Sequence, residues 1–248
     1  MKFGRLPRKF DNRIMSLRDL SHKVTLPQPP PKVDWTKGIT DFGMMLNDQL
    51  GDCTCAALYH ARQIWSLNNG GEDTQPDSMV QSLYEKACGY NPDDSSTDQG
   101  GNEQDLLHYC MKTGMPLADG SVDKLIGFIE ASPQLPDEVK LTVADFGVSY
   151  LGITVPSNIM NEFDEPVDVW DYDPNATSLG GHAVIIVGYD ETGFTIVSWG
   201  QLYKMTYAFL QNNCEESYAL VSSDWLKQGK TPLGMTLPQL ESMMTSFR

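Results

Sequence analysis

The sequence predicts an α+β fold, with helices in its first half and an antiparallel sheet in its second. Two observations carry this. From about residue 54 to residue 111 the apolar residues recur at helical spacing; from about residue 143 onward they fall into short runs rich in β-branched and aromatic residues, parted by Gly, Asp and Asn. With 248 residues, 40% hydrophobic and 21% charged, the chain has the composition of a soluble globular protein large enough for a substantial core. The expected organisation is an arm over 1–32 and one two-lobed domain over 33–248. The helical lobe covers about 33–120, the β lobe about 140–222, and a helical tail 223–248.

The arm is basic. Lys2, Arg5, Arg8, Lys9, Arg13, Arg18 and Lys23 stand against Asp11 and Asp19, a net +5 in a chain of formal net charge −15, so the remainder is near −20. Such an arm is expected to dock on an acidic partner, to fold back over its own body, or to remain solvated. The acidic body argues against nucleic-acid binding. Leu26-Pro27-Gln28-Pro29-Pro30-Pro31-Lys32 must run extended, because successive prolines fix φ and remove donors.

The helices follow. Ala57, Leu58, Ala61, Ile64, Trp65 and Leu67 define the first, with Asp52 available as its N-cap and Asn68-Asn69-Gly70-Gly71 as its stop. Asp77 to Cys88 and Gln104 to Met111 repeat the period. Strands are expected over Val143–Val155, Ala183–Tyr189, Phe194–Trp199 and Ser217–Val221, with a turn at Gly188–Gly193. Leu237, Leu240, Met243, Met244 and Phe247 suggest a closing amphipathic helix.

No run of 18 apolar residues exists, and no apolar stretch of signal-peptide length follows the first charges. A cytoplasmic location is therefore expected. Five cysteines suit a reducing compartment with at least one free thiol.

Chemistry points to Cys53 and His182. A thiol in the first turn of a helix is favoured as thiolate by the unpaired N–H groups there. An imidazole can hold the proton and return it to a leaving group. Cys53-Thr54-Cys55 has a metal-binding reading with His60 or His182, but it lacks the paired spacing of structural zinc sites, so neither metal nor cofactor is expected. His60 is expected on a helix surface, His108 in packing or capping, and His22 in the arm. The acidic loops Asp93–Asp98 and Asp164–Asp173 read as solvated.

Several landmarks in order resemble the papain-like cysteine peptidases, from about Val33 to Val221. They are Val33-Asp34-Trp35, Cys53, Gly100-Gly101 with Leu106, Leu107 and Gly114, Gly147-Val148-Ser149-Tyr150, His182-Ala183-Val184, Val187-Gly188-Tyr189, and Ser198-Trp199-Gly200. The resemblance implies a papain-like two-lobed fold and hydrolysis of a peptide or protein substrate. It implies Cys53 as nucleophile, His182 as base then acid, and Gly100, Gly101 and Trp199 lining the cleft. The family's oxyanion Gln lies six residues before its nucleophile, which here pairs Asn47 with Cys53 or Gln49 with Cys55, so both thiols stay candidates. The family's third catalytic member is Asn, and Val197 stands there. Ser198 or Asp190 would have to substitute. The sequence also looks like uncharacterised proteins of bacteriophage and prophage genomes. That likeness suggests an alternative role as a catalytically weakened virion component, docked on a larger assembly by residues 1–32.

Overall fold

The computed structural model describes residues 1–22, 25–227 and 229–245. Its elements in chain order begin with α1 (Leu17–Ser21), β1 (Val33–Asp34), α2 (Cys53–Asn68), α3 (Asp77–Cys88) and α4 (Glu103–Lys112). There follow β2 (Met115–Pro116), β3 (Val122–Asp123), β4 (Leu125–Glu130), α5 (Pro136–Phe146), β5 (Ser149–Pro156), β6 (Val169–Trp170) and β7 (Ser178–Tyr189). The chain closes through β8 (Phe194–Ser198), β9 (Gln201–Met205), α6 (Tyr207–Asn213), β10 (Cys214–Ser222) and α7 (Leu237–Thr245).

The main sheet runs β4-β10-β5-β7-β8-β9-β6, with β1 also on β7. All its pairings are antiparallel except the two-residue β6–β9 contact. Side chains alternate across a strand, so β7 serves two cores. Ala183, Ile185 and Val187 face α2 and the helical lobe. Val184 and Ile186 join Leu151, Ile153, Val139, Val143 and Phe146 on the other face. Each such buried aliphatic side chain contributes about 1.5–3 kcal/mol. The sheet is thus covered on both sides, and the helical lobe and β lobe meet along α2 and β7.

α2 is buried from Cys53 to Trp65, as expected of a helix that runs through a core. Its polar residues find partners. Arg62 reaches Asp123 and Asp224 at 2.8 and 2.7 Å, and His60 Nε2 meets the Gly43 carbonyl at 3.1 Å. His60 is therefore a core residue and not a surface one; burial pushes its pKa down to about 4.

Two further expectations are corrected. Val143 lies in α5, not in a strand: Pro136 opens that helix, Asp137 and Glu138 occupy its first turn, and Val139, Val143 and Phe146 form its buried face. β5 begins only at Ser149. Asp52 does precede α2, but its side chain makes no cap bond and accepts from Asn47 Nδ2 at 3.2 Å instead. In the tail, Leu240 is fully buried, whereas Phe247 lies outside the described residues.

The arm folds back. Residues 1–9 run between the two lobes, the chain turns over Asp11–Ile14, and Leu17 and Leu20 pack into the core on the far side of the sheet. Lys2 pairs with Asp98 at 2.8 Å, Arg8 with Glu130, and Lys9 with Asp105. The arm's positive charge thus meets the body's negative charge within one chain. Asp98, expected in a solvated loop, also accepts from the Tyr84 hydroxyl and the Gly51 N–H at 2.7 and 2.9 Å. The acidic stretch before β7 contributes Trp170 to the core and Asp171 as an acceptor for Thr206 at 2.6 Å. No helix among the described residues is long and apolar enough to cross a membrane.

Candidate active site

Cys53 opens α2 at the seam between the lobes, and its thiol is met by the backbone N–H of Ala183 from β7 and of Gly4 from the arm. Ala183 directly follows His182, so the sulfur lies beside the stretch of β7 that carries the imidazole, but among the described residues no hydrogen bond joins the thiol to the ring. The His182 Nε2 lies 2.8 Å from Ser198 Oγ, and its Nδ1 has no hydrogen-bond partner among the described residues. Trp199 stacks on the imidazole with ring centroids 4.2 Å apart. Phe3 of the arm closes the site edge-on, 6.2 Å from the His182 ring and 6.1 Å from that of Trp199.

Ser198, at the end of β8, meets His182, while its neighbour Val197 turns into the helical-lobe core. The strand's alternation explains why the side chain one place after Val197 reaches the ring. Asp190 does not substitute: it sits in the β7–β8 turn, bonded to Thr192 and paired with Lys204 at 3.5 Å.

Asn47 is buried and donates to Asp52 Oδ1 and to the Leu50 carbonyl at 3.2 and 3.4 Å. It thereby anchors the loop that leads into Cys53. Met45 and Leu46 in that loop, and Trp199 opposite, have φ of 55°, 64° and 46°. This left-handed backbone is strained for non-glycine residues and is held only by its surroundings. Gln49 is exposed and is not brought to the thiol. Nor is Cys55, which faces Cys88 and Cys110 inside the helical lobe. Its register, with Gln49, is therefore the one the fold does not assemble. All five cysteines are free, and no group of three or more His, Cys, Asp or Glu among the described residues could hold a metal ion.

Gly100 and Gly101 form the helical-lobe rim. Gly101 N–H donates to the Gly4 carbonyl at 2.8 Å, and the Leu6 N–H donates to the Gly101 carbonyl at 2.9 Å. From the opposite rim the Gly181 carbonyl accepts from the Arg5 N–H at 3.0 Å. Glycine is needed for this approach: a Cβ on Gly100 would stand 2.0 Å from the Gly4 oxygen, one on Gly181 2.4 Å from the Arg5 oxygen, and one on Gly4 1.8 Å from the Gly51 oxygen. The arm is therefore a peptide seated across the cleft.

Enclosure sets the protonation states. Burial pushes the Cys53 thiol up to about 12 and the His182 imidazole down to about 3. Both groups are neutral in this closed state. Burial also raises Asp52 to about 8, so the residue beside the thiol carries only part of a charge near neutrality.

Missing from the sequence reading are the arm's place in the cleft, Phe3 over the imidazole, and Arg5, whose side chain is buried among Glu103, Glu215 and Glu216. The excess of basic residues in the first nine positions over an acidic body was the available signal.

No protein-family model matches the sequence, and no curated protein matches it. Solved structures do resemble it. Xylellain, a cysteine protease from Xylella fastidiosa, is 20% identical over 89% of this chain and 96% of its own, with a TM-score of 0.69. Digestive procathepsin L 3 of the Tenebrio molitor larval midgut is 16% identical over 86% of this chain and 75% of its own, TM-score 0.62. The proCathepsin B S9 of Trypanosoma congolense is 10% identical over 90% and 86%, TM-score 0.62. With a helical lobe packed on a large antiparallel sheet, in the arrangement of these neighbours, the chain has the papain-like two-lobed fold.

Proposed function

We propose that the protein is a cysteine peptidase or related amide hydrolase whose cleft is blocked by its own N-terminal arm. The observation that carries this is the Nε2–Ser198 Oγ contact of 2.8 Å beside an unpartnered Nδ1. With Nε2–H donated to Ser198, Nδ1 bears the lone pair and is free to take the proton of Cys53. The thiolate attacks a carbonyl carbon, and the first-turn N–H groups of α2 receive the developing oxyanion; Asn47, whose amide is held by Asp52 and the Leu50 carbonyl in the closed state, joins them only by turning from those partners. His182 then gives its proton to the departing amine, leaving a thioester, and activates the water that cleaves it. Gly100, Gly101 and Trp199 line the groove in which the substrate backbone lies. The resemblance to cysteine proteases supports the same reading.

The Gly4 N–H of the arm meets the thiol, which fits an occupant that blocks the site. The test is labelling by an electrophilic epoxide in a full-length Gly4→Ala variant, in which the arm cannot seat. Labelling of Cys53 that Cys53→Ala abolishes is expected. Labelling confined to Cys55 moves the nucleophile, and an inert Cys53 in the opened chain leaves the second reading, a binding component of a larger assembly such as a virion.

A further inference from the structure

The guanidinium of Arg5 lies in a pocket that the catalytic scheme does not use. Its Nε and Nη2 donate to Glu216 Oε1 at 3.0 and 2.7 Å, and Nη2 donates to Glu215 Oε2 at 2.8 Å. Glu103 Oε1 stands 3.6 Å from Nε. Arg5, Glu103 and Glu216 have side chains at most 2% exposed. Three carboxyl groups surround one cation, more than a structural ion pair needs. Burial, followed by repulsion from Glu216, holds the Glu103 carboxyl well above the ordinary range, and neither of its oxygens has a hydrogen-bond partner among the described residues. An acceptor is thus enclosed in the pocket and left unused.

The pocket is built by the cleft walls. Glu103 opens α4 two residues after Gly101, and Glu216 lies on β10 across the seam. Glu216 is aimed by the Tyr218 hydroxyl, which donates to its Oε2 at 2.7 Å and itself accepts from Gln104 Nε2 at 2.8 Å. The Tyr218–Glu216 bond does not involve the arm, whereas Gln104 Nε2 also donates to the arm's Lys9 carbonyl at 2.9 Å. On β5, Gly152 leaves the space: a Cβ there would stand 2.1 Å from Arg5 Nε. Beside it the backbone of residues 4–6 is clamped through main-chain bonds to both rims, which read no side chain. The side chain opposite Gly101 is therefore what the cleft discriminates.

We propose that Glu103, Glu215 and Glu216 form an arginine-selecting subsite of the cleft, which Arg5 fills in the closed state, and that the peptides the cleft accepts carry arginine at the position paired with Gly101. As a statement about substrates this rests on the hydrolase reading above. The planar fork places Nε and Nη2 on one carboxylate and Nη2 on a second, which a lysine ammonium cannot reproduce.

The test uses the full chain with Arg5→Met, which keeps the apolar stem and removes the cation, and a thermal melt to establish folding. Gly4→Ala, which unseats the arm and leaves the pocket intact, is the second background. The probe is a fluorescein-labelled peptide of residues 1–9, compared with its Arg5→Leu and Arg5→Lys counterparts by anisotropy. The arginine peptide is expected to bind about tenfold or more tightly than either, a margin that charge-assisted bonds support, and Glu216→Gln is expected to erase it. Equal binding of the three, or no binding in either background, overturns the subsite. Turnover is read separately with fluorogenic peptides that vary at the same position. Arginine-selective binding without turnover upholds the subsite and removes the hydrolase reading. Turnover indifferent to arginine does the reverse.

Discussion

The indole of Trp199 lies 15° from parallel to the imidazole of His182, with the ring centroids 4.2 Å apart. A stacked ring can slide but not tilt, so the indole fixes the plane in which Nε2 meets Ser198. Trp199 itself sits at φ 46°, and its indole is set among the rings of Phe3, Trp170 and His182.

Ser198→Ala removes the one hydrogen-bond partner that the His182 ring has among the described residues. The imidazole keeps its plane and loses the partner that selects its tautomer. A fall in kcat of about ten- to a hundredfold with little change in KM is expected, while the melting curve moves by no more than a lost hydrogen bond of about 1 kcal/mol. Steady-state kinetics of the opened Gly4→Ala chain with and without Ser198→Ala reads this, and Ser198→Thr should restore most of the rate.

Arg5→Ala leaves Glu216 and Glu103 without their cation. Removing one partner of a buried pair costs about 3–5 kcal/mol, and the arm can escape that penalty by leaving the cleft, which lets water reach the carboxylates. The expected outcome is release of the arm with the domain still folded. Hydrogen exchange at the Leu6 and Gly101 amides, bonded across the rim in the closed state, should accelerate about a hundredfold or more.

Alkylation of Cys53 in the intact chain should be slow at neutral pH, because burial holds the thiol near 12. Opening the arm with Gly4→Ala admits water, and the pH midpoint of the iodoacetamide rate should fall to about 8.5 or below. Mass spectrometry of the Cys53 peptide across pH checks this; an unchanged midpoint would show that the arm does not control the thiol.

His182 and Asp52 give stability opposite pH slopes. His182 is held neutral down to about 3, so the native state refuses a proton that an unfolded histidine takes at about 6.5; the stability present above that value is lost as the pH falls through 3. Asp52 is raised to about 8, so its contribution is complete below about pH 3.9 and is lost as the pH rises through 8. Asp52→Asn should flatten the alkaline limb and leave the acid limb in place, read from melting temperatures at about pH 5, 7 and 9.

Local signals made much of this molecule legible. Asp77–Cys88 is helical over the residues its apolar period marked, and the order Cys53, Gly101, His182, Ser198 placed the lobes around a seam. α5 was missed because Val139, Val143 and Ala144 carry β-branched and small residues in a helix whose clearer signal, Pro136 followed by Asp137 and Glu138, stands at its start. Asp52 misled through composition: a carboxylate before a helix is an N-cap by habit, but burial beside Asn47 gives it another partner. The pocket around Arg5 was beyond local reading. Glu103 is separated from Glu215 and Glu216 by more than a hundred residues, and only the pairing of β10 with β5 and the placement of α4 bring them together.

The segment from Phe10 through the turn at Asp11–Ile14 connects two unlike anchors. Beyond it α1 is rooted in the core through Leu17 and Leu20, whereas before it residues 1–9 are held by the cleft alone, and Phe10 between them is 89% exposed. Because the occupant is tethered, the cleft meets it at an effective concentration of about millimolar, whatever the amount of protein, and a peptide added in trans sees an affinity reduced by the fraction of open molecules. One cut in that segment would end the tether without breaking a single contact in the cleft. Occupancy would then depend on concentration, and dilution alone would empty the site.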